Sequence, residues 1–299
     1  MNTFKTLLLR EWLQHRFGWT LVVAIPLGLA SIGLLFGQIE LEFGAAELGP
    51  RFATLLAMGT GFVAIAVMFG IAWATSLILV SGLPRRDHTD RSHEFWLSLP
   101  VGDAPSLCAP LLVHLLLVPM AGIAIGLVAS VALSAIVVGR LAGLADWFAL
   151  PWGALLTAGA AAAARLAGGL VVATLWLAPV VSLALLANAW LKRWGAIALL
   201  VGILVIAGLL DGLFGIELMW RWLETIGNGV LQGLVGRGGD ALSFDTDTDV
   251  QRSLLAVPGL AARDFGFALQ GLANAWMPLG LAIAAASLWG VARWRRATA

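Results

Sequence analysis

Long apolar runs, separated by short charged segments, leave this chain few places to fold other than a lipid bilayer. Of its 299 residues, 60% are hydrophobic and only 12% are charged, about half the charged fraction of a soluble domain. Several runs reach the ~20 residues needed to cross the hydrocarbon core as a helix. The reading is an all-α polytopic membrane protein with six transmembrane helices, at about residues 17–37, 53–81, 106–138, 168–190, 195–214 and 275–291. Fourteen Trp and no Tyr leave interfacial anchoring to tryptophan, and many of these fall near span ends.

Residues 2–16 place Phe4, Leu7, Leu8 and Trp12 at helical spacing, with Lys5, Arg10, Glu11, Gln14 and Arg16 on other faces. That pattern suits an amphipathic helix lying in the interface before the chain turns into the membrane. The apolar run from Phe17 is long enough to span, so an uncleaved start is expected. The run Gly153–Trp190 would be about 57 Å long as one helix, too long for one crossing. It divides most simply into an Ala-rich lead-in containing Arg165 and a fourth span from about residue 168. Residues 216–274 form the longest polar segment, expected outside the cytoplasm. The single cysteine, Cys108, permits no intrachain disulfide and no cysteine-based metal cluster, and reads as a small packing residue.

Charge orients this topology. Eleven of the eighteen Lys and Arg lie in the segments read as inner, against five of the seventeen acids. Both termini are therefore expected in the cytoplasm, with basic residues gathered inside. A net charge of +1 gives no footprint for nucleic acid.

No phosphate-cradling Gly-x-x-x-x-Gly-Lys-Ser/Thr loop occurs, nor a His-Glu-x-x-His helix, nor a Gly-x-Ser-x-Gly elbow. No catalytic residue and no metal ligand is assigned. Asp245-Thr246-Asp247-Thr248-Asp249 opens like a calcium loop, but Val250 and Ala256 stand where Gly and Glu are needed, so a solvated loop and helix cap is expected. Two ionisable residues are candidates for a substrate pathway. His114 is the one histidine within a span, where its cost marks it as functional or as hydrogen-bonded to a neighbouring helix. Asp211, near the outer end of the fifth span, either faces a cavity or pairs at the interface with Arg221 or another arginine. Arg165 is expected to snorkel to the interface.

The remaining charge is concentrated between the second and third spans, from Pro84 to Asp103. Here Asp90 is a natural N-cap, Glu94 favours the positive end of a helix, and Pro100 ends the segment. A helix of two to three turns would carry Phe95, Trp96 and Leu99 near one side. Such a helix either docks its apolar residues in a groove on a soluble partner or hugs the membrane surface with an interfacial Trp. Spacing alone leaves both readings open.

The string Asp90-Arg91-Ser92-His93-Glu94-Phe95-Trp96-Leu97-Ser98-Leu99-Pro100-Val101-Gly102-Asp103 resembles the first cytoplasmic loop of bacterial type-2 ABC transporter permeases. The amphipathic start, the six spans and the large outer segment before the last span are similar in layout. The resemblance implies one transmembrane permease domain over residues 1–299 with a type V exporter fold, residues 2–16 as the connecting helix and 82–105 as the coupling loop. It implies an ATPase-coupling role for Asp90, Arg91, Ser92, Glu94, Phe95, Trp96, Ser98, Leu99 and Pro100. It implies a bacterial inner-membrane location, two separate ABC ATPase subunits carrying ATP and Mg, and a second permease chain, identical or homologous. This chain would itself be no enzyme and hold no cofactor.

Two other classes stand beside that expectation. A membrane-embedded lipid-modifying enzyme needs convergent acids or histidines at one face, for which Asp87, His88, Asp90 and His93 are the candidates. A secondary transporter without an ATPase needs intramembrane charges for ion coupling, and these are sparse here.

Overall fold

The computed structural model describes residues 3–39, 48–89, 103–236 and 246–297. Among them every regular element is a helix. Helix α1 is Thr3–Phe36, α2 Phe52–Thr89, α3 Asp103–Leu112 and α4 Val118–Leu141. A short α5, Leu144–Phe148, leads to α6, Trp152–Leu191, and α7, Gly195–Phe214. Helices α8, Leu218–Leu234, and α9, Asp247–Gly271, precede α10, Trp276–Ala297. This is the all-helical fold of a polytopic membrane protein. Five segments are long and apolar enough to cross a bilayer, and the bent α9–α10 pair makes a sixth if it is one broken span.

The sequence and the structure differ most at three places. Residues 2–16 do not form a separate interfacial helix, because α1 runs from Thr3 to Phe36 without interruption across Arg16 and Phe17. The Gly153–Trp190 run is not divided either. It lies within the 40-residue α6, about 60 Å long at 1.5 Å per residue. The last span is the weakest: α10 meets the length and hydropathy needed only together with α9, which lies at 71° to it. Asn274 makes that corner, its side-chain oxygen accepting from the Trp276 N–H at 2.9 Å, so α10 starts afresh instead of continuing α9.

Small residues set the central packing. Helices α2 and α4 lie against each other along most of their length, with Phe69 of α2, Ile123 of α4 and Ala163 and Leu170 of α6 in one buried cluster. Gly122 and Gly126 let the α4 backbone approach Met68 and Ile65 of α2. This is the Gly-x-x-x-Gly device of membrane helices, in which close backbone packing replaces the hydrophobic effect as the source of association. Helix α6 is the hub for the second half: Val172 and Trp176 pack with Trp222 and Ile226 of α8, Ala268 of α9 and Met277 of α10.

Both ends of the bundle are tied by polar side chains. At one end, Asn188 of α6 donates from its side-chain amide to the Ser81 carbonyl of α2 at 2.8 Å and accepts from the Ala196 N–H of α7 at 2.8 Å. Val80, Leu83, Leu107, Leu185 and Val291 pack beside it. At the other end, Arg140 of α4 donates to the carbonyls of Leu34 and Gly37, capping the last turn of α1. Replacing Asn188 with Leu removes both of its bonds and leaves the part-buried Ala196 N–H, in the first turn of α7, without its acceptor, an expected loss of about 2 kcal/mol. The check is detergent-resolved thermal unfolding, in which Asn188→Asp should recover part of the loss through the Ala196 bond alone.

Cys108 lies at an exposed position on α3 and not in the core. The calcium-like run behaves as the helix cap expected of it, the Thr246 hydroxyl accepting from the Asp249 N–H at 3.2 Å at the start of α9.

Candidate functional site

A π turn, Val113–Leu117, joins α3 to α4, and the Val118 N–H closes it on the Val113 carbonyl five residues back. Its cause lies one residue further on. Pro119 has no N–H to donate and its ring crowds the carbonyl one turn earlier, so the ladder shifts register just ahead of it. Insertions of this kind recur at functional sites. Here it carries His114, whose side chain is fully buried.

The residue waiting for His114 is Glu11, which is 1% exposed. The inward stripe of α1 is Leu7–Glu11–His15, at a spacing of four, while Trp12, Leu13 and Phe17 face outward. The His114 Nε2 stands 3.5 Å from Glu11 Oε2, and the His15 Nε2 stands 4.0 Å from the same oxygen. The two imidazoles meet edge to face with centroids 5.3 Å apart, and Trp19 closes over both at 5.7 and 5.9 Å. Among the described residues neither ring nitrogen of His114 has a hydrogen-bond partner, which is rare for a buried imidazole. The result is one carboxylate flanked by two imidazoles, walled by aromatic rings and set where α1 crosses the α3–α4 span. Such a group can share a proton or hold a small cation.

Asp211 does not join this cluster. It is exposed near the end of α7, four residues before Gly215, whose φ of +64° ends the helix in the left-handed region. Nor does it pair with Arg221, which binds Glu217 one turn back on α8 at 3.0 Å.

Arg165 does not snorkel. It is 10% exposed and its Nε donates to Asp264 of α9 at 2.6 Å. The terminal nitrogens donate to the Gly233 and Gln232 carbonyls at 2.6 and 2.8 Å. One guanidinium thus joins α6, the C-terminal end of α8 and α9, satisfying two carbonyls that the end of α8 leaves open.

The proposed coupling residues, Asp90, Arg91, Ser92, Glu94, Phe95, Trp96, Ser98, Leu99 and Pro100, lie outside the described residues. Their flanks are described: α2 continues through Pro84 to Thr89, and α3 begins at Asp103. Residues 82–89 and 103–105 of the segment expected as a loop are thus helical. These flanks lie at the Asn188 end of the bundle, where Arg295 of α10 also reaches the Leu83 carbonyl at 3.4 Å.

Two apolar clefts open elsewhere in the bundle. One of about 690 Å³ lies between α1, α2 and α4, lined among others by Pro26, Leu34, Phe52, Val63 and Val137. The other, about 840 Å³, lies between α2, α4, α6 and α9 and has Arg165 and Asp264 on its wall. No known protein family, curated protein or solved structure matches this chain.

Proposed function

We propose that this protein is the membrane-spanning permease subunit of an ATP-driven ABC transporter, an exporter, working with two separate ATPase subunits and a second permease chain. The observation that carries the reading is the Asp90-Arg91-Ser92…Phe95-Trp96…Ser98-Leu99-Pro100 string placed between the second and third spans of a polytopic helical chain without a nucleotide-binding loop. Its flanks also support it: α2 and α3 deliver the segment to the end of the bundle that holds the α6–α7 turn and the basic end of α10. In this reading that end faces the cytoplasm of a bacterial inner membrane, as do both termini. ATP binding draws the two ATPases together, and the docked segment passes the motion to α2 and the α3–α4 span.

A second chain is part of the proposal because α1 contributes nothing of its most apolar window to the interior and α7 only 6%. Their outer faces are available to lipid or to a partner permease. The clefts on either side of α2 suit a hydrophobic or amphipathic cargo, being lined mainly by aliphatic side chains.

The test is affinity copurification of the chain with the ATPase encoded beside it. Wild type should retain the ATPase stoichiometrically. Phe95→Ala/Trp96→Ala should lose it at least ~tenfold, as expected when two aromatic anchors leave a docking groove. A well-folded chain that recovers no ATPase, or recovers it equally with the double variant, sinks the proposal in favour of a membrane enzyme or an ATPase-independent transporter.

A further inference from the structure

We propose that Glu11, His15 and His114 form a binding site for a divalent first-row transition-metal ion of the zinc type. The inference stands on its own geometry and does not depend on the transport reading. One ligand atom from each residue lies within 4.8 Å of the others. In a tetrahedral zinc site with bonds of about 2.0–2.2 Å, donors stand roughly 3.3–3.5 Å apart. The Glu11–His114 pair, at 3.5 Å, already meets that spacing, and the Glu11–His15 pair, at 4.0 Å, needs a small closure. The His15 and His114 donors stand within 4.8 Å of each other and close on the same ion.

Three further observations point to a ligand. His114 is fully buried with both ring nitrogens lacking a hydrogen bond among the described residues, and a metal takes one of those nitrogens as its partner. The π turn places that ring against Glu11 where a regular helix would put the residue elsewhere on the surface. Glu11 is buried in a chain built for lipid, where a carboxylate persists in pairing or coordination.

The donor set fixes the class. Two imidazoles and one carboxylate match zinc, cobalt, nickel or ferrous iron far better than magnesium or calcium, which take mainly oxygen ligands. Three protein ligands leave a position open for water or an incoming donor. Two of the ligands come from α1 and one from the π turn, so an ion here fastens α1 to the α3–α4 span.

The experiment uses the full chain in detergent or nanodiscs, stripped with chelator and then titrated with Zn²⁺ by calorimetry. One ion per chain is expected, with affinity at least ~tenfold weaker in Glu11→Gln and in His114→Gln, and weaker in His15→Ala. The chain's other histidines supply the control: His88→Gln/His93→Gln should leave this binding unchanged. Co²⁺ added to wild type should give the visible absorption of a nitrogen–oxygen site, and that signal should vanish in His114→Gln. If a His114 variant fails to elute as a folded species, the Glu11 and His15 variants and the wild-type Co²⁺ spectrum decide the matter. The proposal is overturned if wild type binds no stoichiometric Zn²⁺, which would leave a proton-sharing cluster. It is equally overturned if binding survives the Glu11 and His114 changes but is lost with His88 and His93.

Discussion

Arg165→Met is expected to lower stability by about 3 kcal/mol, the low end of the range for breaking a buried ion pair. The reason is the number of groups one side chain serves. Its loss strips Asp264 of the guanidinium and removes the donors from the Gln232 and Gly233 carbonyls together. The low end applies because Asp264 is 27% exposed and water takes over part of its solvation. Arg165→Lys should recover only a minority of the loss, since an ammonium is a point donor and lacks the planar fork that reaches three acceptors. The measurement is reversible unfolding in mixed detergent, with Asp264→Asn and the double variant completing a thermodynamic cycle. A coupling energy near zero would mean that the ion pair is incidental and that only the carbonyl bonds matter.

The second large effect is expected at the α2–α4 contact. A Cβ on Gly122 would stand 2.8 Å from Ala72 Cβ and 2.9 Å from the Met68 oxygen, and one on Gly126 would stand 2.7 Å from Ile65 Cα. Two of these neighbours are backbone atoms, so the clash is relieved only by separating the helices. Gly122→Val/Gly126→Val should therefore cost about 3 kcal/mol or more, above the usual range for a single overpacked site. It should also disturb the adjoining π turn, which itself packs against α2. Gly70→Ala is the matched control, because nothing lies within 4 Å of its added methyl and alanine is the better helix former by up to ~1 kcal/mol. Equal melting temperatures for the double variant and the control would contradict this account of the packing.

The apolar runs made the membrane class and the fifth span legible: residues 195–214 were expected and Gly195–Phe214 is observed. The Gly-x-x-x-Gly pair at Gly122 and Gly126 is a further sequence signal, of a close helix partner for the third span. The long α6 was hidden for a different reason. Span counting assumes that a helix stops where the membrane does, but α6 continues because α8 and α9 supply it with a packed surface and Arg165 with partners.

Glu11 was hidden by the logic of amphipathic helices. In water or at an interface, charge marks the outward face. Within this bundle Glu11 and His15 turn inward beside Leu7, while Trp12 and Phe17 turn out together with Lys5, Gln14 and Arg16. The Glu11-x-x-x-His15 spacing was visible and places both residues on one face. What the sequence did not contain was the pairing of that face with His114, about a hundred positions later, because no periodicity encodes which helices meet. His114 itself was singled out by the cost of an ionisable group within a span, and the structure supplies the neighbours that explain it.

The length of α6 gives the molecule a mechanical property. A rod about 60 Å long swings its far tip by about 1 Å for each degree of tilt. Its only internal proline, Pro179, rests against Gly280 of α10, where an added Cβ would stand 3.4 Å from the ring, so the one natural flexure point is splinted from outside. Arg165 lies about 40 Å up the shaft from the Lys192–Trp194 turn. A push at that turn is thus delivered to the α8–α9 pair as displacement, magnified with distance, through a single stiff arm.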